Sequence, residues 1–507
     1  MAAGFGDEAT PSELHVLWSL REDVHLEAAP ESGSLLVHSR WGDIEVVQPD
    51  EAVFGALQRM SLGPTHLENV ISGEAEMADL LRLLQRLEPL VVRSLSVDRE
   101  QPLVSVVPLT HHSRFHVTPI AADVPIRLSR FAVISTNGRD YRLESPLALH
   151  RVILHSADAM GLLGHLRRPT RPSAIRTASP YFEAFVAYLA AAGMVVRAER
   201  VEEFRPVVFA EDTDDTLISW SPVDLLFHSR STLGRHDRDF GATYPGGDRH
   251  GVEPVVVSRG DNGLVRLYRP TWEALVAADP PLSAAVEAVD EAHLSSGPIT
   301  ARELGELLYR VARVRSLSGS PYSPEETSDR PYLSIGSGYE LELYVAVRDC
   351  TGIDEGIYHY DPLNHGLRAL AGEIHWVDAA LENARLVAGM HRQPPVLVII
   401  TARFRRVSWK YSGISYASVL KNVGMLSQTL SLVAAGLGLG AYPLESLDIE
   451  LWAEALGADW RAESSVGGLV LGRKLLTKDT TAIGWHQVND AHWADLARRL
   501  VRPDKGP

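Results

Sequence analysis

The sequence predicts an α+β protein in which two small, similar modules precede a larger domain of sheet and helix. Three patterns carry this expectation. Strand-like runs, a helical stripe and a second pair of strand-like runs occur in that order twice within the first 200 or so residues. The C-terminal half alternates helical and strand periodicities around one continuous apolar run, Val396-Leu-Val-Ile-Ile-Thr401. A long stretch of small and apolar residues from Tyr416 to Leu437 then reads as a core helix.

In the first module (residues 1–110), Ser34-Leu-Leu-Val-His and Asp43-Ile-Glu-Val-Val are strand-like. Met77, Leu80, Leu81, Leu84 and Leu87 share one helix face. Leu90-Val-Val-Arg-Ser-Leu and Leu103-Val-Ser-Val-Val then read as a hairpin. The second module (111–205) repeats the order. Arg130-Phe-Ala-Val-Ile-Ser and Tyr141-Arg-Leu precede a stripe of Phe182, Phe185, Val186 and Leu189, stopped at Gly193, and Met194-Val-Val-Arg and Val207-Val-Phe follow. Strands, helices and a strand pair in this order suggest tandem winged-helix-like modules. Residues 201–280 are rich in Pro, Gly and Asp, and read as a linker leading into a third domain (206–507). Within them, Phe240-Gly-Ala-Thr-Tyr-Pro-Gly-Gly-Asp248 is a loop cluster.

In the third domain, Thr300-Ala-Arg-Glu303 is a capping box that starts a helix with Leu304, Leu307, Leu308 and Val311 on its inner face. Leu341, Leu343, Val345 and Val347 alternate with Glu342 and Tyr344, the pattern of a half-buried strand. The helix from Tyr416 is expected to be buried on all sides. Gly436-Leu-Gly-Leu-Gly440 follows that helix rather than a strand, so it reads as a helix stop and not as a dinucleotide loop. Gly467-Gly-Leu-Val-Leu-Gly returns as a last strand.

Composition narrows the function classes. The 507 residues suffice for about three domains. A hydrophobic share of 45% and a charged share of 22% are those of a globular chain. A net charge of -16 argues against nucleic acid or an anionic membrane as partner, because both need a basic footprint. The single cysteine, Cys350, forms no disulfide within the chain and reads as a buried small residue. The histidines are scattered without metal-ligand spacing, so no metal site is expected. The acidic N-terminus lacks the features of a signal peptide, and the apolar stretch Leu430–Leu444 is too short to span a bilayer. A soluble cytoplasmic protein is expected.

Two segments point to chemistry. Lys410 and Tyr411 lie together between an apolar strand and the core helix. Burial there would lower the lysine's pKa and make it a possible base. Upstream, Ser334-Ile-Gly336-Ser337-Gly338 forms a Gly/Ser loop that would let a planar ligand approach the backbone closely.

These segments sit within an ordered set: Arg330-Pro-Tyr-Leu-Ser-Ile-Gly-Ser-Gly-Tyr-Glu-Leu-Glu342, Gly356-Ile-Tyr-His-Tyr-Asp-Pro362, Trp409-Lys-Tyr-Ser412, Leu420-Lys-Asn-Val-Gly424 with Gln428-Thr, and Ala435-Gly-Leu-Gly-Leu439. The set resembles the SagB-type azoline dehydrogenases, a branch of the FMN nitroreductase family. Phe227-His-Ser-Arg-Ser-Thr-Leu-Gly-Arg235 resembles a segment of the longer, cyanobactin-oxidase-like members. The resemblance implies a C-terminal nitroreductase-like fold that binds FMN at a homodimer interface. It implies Lys410 and Tyr411 as catalytic residues, and Ser334, Gly336, Ser337, Gln428, Pro443, Leu444, Glu445 and Arg473 as cofactor-binding residues. The implied reaction is oxidation of thiazoline or oxazoline rings to thiazoles or oxazoles in a ribosomally made precursor peptide, alongside cyclodehydratase partners. The N-terminal modules would then act as peptide-recognition elements. The acidic run Val289-Asp-Glu-Ala-His293 stands where the family carries an arginine-rich flavin segment. It leaves open an alternative, a flavin-free subunit that binds precursor peptide or a catalytic partner.

Overall fold

The computed structural model describes residues 13–474, except 30–32, 98–100, 176–178, 201–205, 248–250, 258–262, 290–293, 296, 325 and 371–373. The chain forms two compact units, Met1–Arg238 and Asp239–Pro507.

The first unit contains the same construction twice. Strands β1 (Leu14–Leu20), β2 (His25–Ala29), β3 (Ser34–Ser39) and β4 (Gly42–Val46) are followed by helices α1 (Glu51–Leu62) and α2 (Glu74–Arg86), then β5 (Val91–Val97) and β6 (Pro102–Pro108). The second half runs β7 (Ile126–Leu128), β8 (Val133–Thr136), β9 (Tyr141–Glu144), β10 (His150–Leu154), helices α3 (Ala157–Gly164) and α4 (Phe182–Ala191), then β11 (Val195–Arg200) and β12 (Val208–Phe209). The antiparallel pairings repeat as well. β1 pairs β5 and β5 pairs β6, as β7 pairs β11 and β11 pairs β12. β2–β3–β4 corresponds to β8–β9–β10. The halves join where β10 pairs β6, with His150 opposite Pro108, giving one sheet in the order β1-β5-β6-β10-β9-β8. The expected break at residue 110 therefore lies between strands that a shared sheet reunites.

Each half keeps its own core. Leu57, Met60, Leu80, Leu84 and Leu87 fill the first, and Val152, Leu154, Phe182, Phe185, Val186 and Leu189 the second. Each such fully buried side chain contributes about 1.5–3 kcal/mol. Asp50 caps α1 by accepting from the Val53 N–H at 2.7 Å, and Gly193 leaves α4 with a φ of 78°. The first unit reaches further along the chain than the expected boundary at 205. Glu211 accepts from Arg127 at 2.7 Å, and Asp237 accepts from Arg151 at 2.6 Å and from Arg21 at 3.2 Å. Part of the stretch read as linker is thus anchored by buried ion pairs and carries the helix Pro222–Arg230.

The second unit is built on an antiparallel sheet of β13 (Leu264–Arg266), β14 (Leu341–Val347), β15 (Gly356–Asp361), β16 (Gly366–Ala369), β17 (Val396–Arg403), β18 (Leu439–Leu444) and β19 (Glu463–Lys474). Its order is β13-β16-β15-β14-β17-β19, and β18 also pairs with β19. Its principal helices are α5 (Ala301–Ala312), α6 (His375–Val387), α7 (Phe404–Ser408) and α8 (Ser415–Gly436). The period-2 alternation sorts the strand residues. Leu341, Leu343, Val345, Val396, Val398 and Ile400 pack with Leu304, Leu308, Leu426 and Leu430 of α5 and α8. Tyr344, Ala346, Leu397 and Ile399 pack with Val377 and Leu381 of α6 and with Trp452. All seven residues of β14 are therefore buried, not half-buried as its alternation suggested.

The capping box forms as expected: the Glu303 N–H donates to Thr300 Oγ1 at 3.2 Å, and the Thr300 N–H donates to Glu303 Oε2 at 2.8 Å. Helix α8 departs from expectation. Tyr416, Leu420, Gly424 and Gln428 are exposed, so one face is open rather than enclosed. Among the described residues, no helix is long and apolar enough to cross a membrane.

Candidate functional site

The Lys410-Tyr411 pair sits on a turn, residues 409–414, between α7 and α8. Residues 240–247, read from sequence only as a loop, form a strap along this turn. Gly241 and Ser412 exchange both backbone hydrogen bonds, at 3.1 and 2.9 Å. The Tyr244 N–H donates to the Lys410 carbonyl at 3.0 Å, and the Thr243 hydroxyl donates to Ser412 Oγ at 2.8 Å. The Tyr244 and Trp409 rings meet edge to face at 5.3 Å. Gly413 takes a φ of 73°, and a Cβ there would come within 2.9 Å of the Phe240 ring. Lys410 is half-buried, not desolvated as expected, because the turn lies at the edge of the core. Its Nζ lies 5.3 Å from the centroid of the Tyr411 ring, a cation–π arrangement.

Tyr411 reaches the Gly/Ser loop. A Cβ at Gly336 would overlap the Tyr411 hydroxyl oxygen, so the phenol rests on the bare backbone of that glycine. The loop is strained: Gly336, Ser337 and Tyr339 all take positive φ, at 65°, 53° and 44°. Gly336→Ala is expected to cost about 1–2 kcal/mol from its left-handed backbone alone. It should also push the phenol off the loop. A fall in thermal stability, together with loss of Tyr411 protection from nitration reagents, checks both effects.

Behind the loop lies a layer of buried polar groups that sequence reasoning missed. The Ile335 N–H donates to Asn422 Oδ1 at 2.8 Å, and Asn422 Nδ2 donates to Glu340 Oε1 at 2.9 Å and to Ser334 Oγ at 3.2 Å. Ser334 Oγ in turn accepts from the Tyr339 N–H at 3.0 Å. Two residues along, Glu342 accepts from Arg403 Nε at 3.0 Å and lies 2.9 Å from His359 Nε2. Burial pushes the Glu340 carboxyl above the usual carboxylate range. For Glu342, burial is outweighed by the Arg403 charge and the His359 bond, which hold it at about 2. The two carboxyls lie two residues apart, Glu340 just ahead of β14 and Glu342 on it, and have opposite tendencies, an arrangement associated with functional sites. The available signal was the pair of glutamates at the start of an otherwise apolar strand.

The remaining expected residues form a second group. Pro443 and Leu444 lie on β18 opposite Leu469 and Gly468 of β19, and Arg473 lies opposite Leu439 at the other end of that pairing. Pro443, Glu445 and Gln428 are exposed, and Leu444 is buried. Arg473 is already engaged: it donates to Glu303 Oε1 and Oε2 at 2.5 and 2.9 Å and to the Pro298 carbonyl at 3.0 Å. A guanidinium retains further N–H donors beyond these three. Ser334, Gly336, Lys410 and Tyr411 are thus brought together, while Pro443, Leu444 and Arg473 belong to a separate strand pair. The acidic run 289–293 falls, except for Val289, outside the described residues. Cys350 is buried, and that burial pushes its thiol up to about 11, as befits a packing residue.

Beside the turn opens a groove of about 530 Å³, lined by Ser408, Ser415, Phe404, Tyr416 and Trp460. Ser465 at its floor has a buried hydroxyl without a hydrogen-bond partner. Its walls are mainly aromatic and apolar, suited to a flat or apolar group.

A Gly/Ser loop, a lysine–tyrosine pair and a sheet backed by a core helix form the candidate site of an α+β domain. The model of the cyanobactin oxidase ThcOx matches residues 126–237, and that of the nitroreductase family matches residues 246–473. A Methanocaldococcus jannaschii protein described as a nitroreductase is 33% identical over 145 residues, which span 29% of this chain and 68% of that protein. The chain belongs to the nitroreductase family, and it carries the cyanobactin-oxidase domain that the motif resemblance anticipated. Among solved structures, a nitroreductase-type protein of Ralstonia eutropha is 18% identical, with 45% of this chain and 99% of that one covered and a TM-score of 0.34. A chain of the E. coli microcin synthetase complex, solved with a truncated pro-peptide bound, is also 18% identical, with 50% and 92% covered and a TM-score of 0.31.

Proposed function

We propose that this chain is an FMN-dependent dehydrogenase that oxidises thiazoline or oxazoline rings in a ribosomally made peptide. The observation that carries the reading is the Tyr411 hydroxyl seated on Gly336, with Lys410 beside it. Aromatising an azoline removes a proton from one ring carbon and a hydride from its neighbour, and a C=C bond forms between them. No side chain accepts a hydride, so a cofactor must. FMN, when bound, supplies that two-electron acceptor.

The residues fit such a group. Arg473 retains N–H donors for a phosphate, and the bare Gly336 backbone lets the Tyr411 phenol lie against the loop that would hold the cofactor. Ser334, Gly336 and Ser337 would hold the cofactor from one side, and Gln428, Pro443, Leu444, Glu445 and Arg473 from another. We place the two groups together across a homodimer interface. Lys410 takes the ring proton on Nζ, and the Tyr411 hydroxyl orients or shares it. The aromatic groove at Tyr416 and Trp460 would receive the peptide beside the ring. The N-terminal unit would hold the remainder of the precursor, with cyclodehydratases supplying the azoline.

The native protein should show a flavin absorption band, and a thiazoline peptide should lose the mass of two hydrogen atoms on incubation with it. The engagement of Arg473 by Glu303 favours a second reading, the flavin-free binding subunit. A colourless native protein that takes up no added FMN would establish that alternative instead.

A further inference from the structure

We propose that Asn422 and Glu340 are positioning residues that fix the backbone of the loop Ser334–Gly338, and with it the seat of the Tyr411 phenol. The proposal rests on the flavin reading only in what the loop is for. Its structural part stands on the geometry alone.

Asn422 lies in the middle of α8 and is fully buried. A buried amide in a helix interior is unfavourable unless both its ends are satisfied. Here both are, and in only one orientation. The Ile335 N–H requires the oxygen at Oδ1, and the Glu340 carboxyl requires the NH2 group. Glu340 therefore sets the amide, and the amide holds the loop. Two further grips complete the arrangement: Arg406 Nε donates to the Gly338 carbonyl at 3.1 Å, and Tyr411 covers Gly336. Three left-handed residues within four positions would relax without such restraint.

The groups facing Glu340 are Asn422 from α8, Arg403 from β17 and Arg330 ahead of the loop, with Glu342 two residues along the chain. Both arginines have other partners. Arg403 is bound to Glu342 and the Pro254 carbonyl, and Arg330 to the Val255 carbonyl and Ser328. The direct partner of Glu340 is thus a neutral amide, and burial favours the protonated acid.

The test compares full-length Asn422→Ala, Asn422→Asp and the exchanged pair Asn422→Asp/Glu340→Gln with wild type. Amide hydrogen exchange over residues 333–341 is the first readout, and FMN affinity by fluorescence titration the second. Asn422→Ala should speed exchange of the loop by about tenfold or more while β17 stays protected. Asn422→Asp should do the same at alkaline pH, where the shared proton is lost and the two facing carboxylates repel. It should recover towards wild type at low pH, where they share a proton. The exchanged pair should restore protection without that pH dependence. Its amide, now at position 340, donates to the carboxylate, now on the helix, and that carboxylate still accepts from the Ile335 N–H. FMN affinity should follow the same order.

Unchanged loop exchange in Asn422→Ala, or an equal rise in β17, overturns the proposal. So does failure of the exchanged pair to restore what Asn422→Asp loses. If the loop results hold and wild type binds no FMN, the positioning role stands and the flavin reading falls.

Discussion

Lys410→Met is expected to slow oxidation of a thiazoline peptide by about a hundredfold or more, the scale of a lost general base, with flavin content unchanged. Methionine keeps most of the apolar stem and removes the amine. The turn should survive the change, because Lys410 is held to the 240–247 strap through its backbone carbonyl and not through its side chain. Tyr411→Phe should cost less, about tenfold, because it removes the hydroxyl over Gly336 but leaves the ring beneath Lys410. Full turnover by Lys410→Met would assign the proton to another group, and equal losses in both variants would make the pair a single unit. Single-turnover mass spectrometry distinguishes these outcomes from slow product release.

What the sequence disclosed depended on the range of the interaction. The capping box at Thr300, the stripe on α4 and the apolar run of β17 are local patterns, and each forms as read, whereas on α2 Leu81 of the stripe is exposed and Leu83 is buried in its place. The repeated order of strands and helices was legible for the same reason, although β6–β10 pairing between the halves was not. The strap 240–247 shows the limit most clearly. Its Gly and Pro residues announce a turn, but nothing local says that its amides go to a turn some 170 residues away, as the pairing of Gly241 with Ser412 requires. The burial of Lys410 was over-read on the same grounds. Proximity to an apolar strand in sequence does not set depth in the fold.

The polar layer behind the loop failed differently. Alternation along β14 correctly separates its two faces, but cannot tell that α6 and Trp452 cover the second one. Glu342 therefore read as a solvent residue when it is a fully desolvated charge. Asn422 stood in the sequence only as part of the motif Leu420-Lys-Asn-Val-Gly424. Its role emerges only when Ile335 and Glu340 arrive from elsewhere in the chain. Helix α8 shows the converse error. Small residues on most faces suggested full enclosure, yet Tyr416, Leu420 and Gln428 form an open face.

Glu342 carries the largest expected effect on stability. Its carboxylate is bound by Arg403 and His359 in a site closed to water, so Glu342→Ala strands the arginine's charge and should destabilise the second unit by about 3–5 kcal/mol. Arg403→Leu on that background should restore part of the loss, since the apolar pair carries no unpaired charge, while the volume lost at position 342 keeps the recovery incomplete. The same residue sets the acid limit. Its folded pKa, about 2, lies below the ordinary 4.5 of the unfolded chain. Its contribution is therefore complete above about pH 4.5 and disappears as pH falls towards 2. A shift of this size corresponds to about 3 kcal/mol. Hydrogen exchange in β14 and β15 reads the second unit separately from the first, which a whole-chain melt would not. Between pH 5 and 2, protection of these strands should fall steeply in wild type, and less steeply in Glu342→Ala/Arg403→Leu. Parallel losses in the two proteins would move the acid limit to another carboxylate.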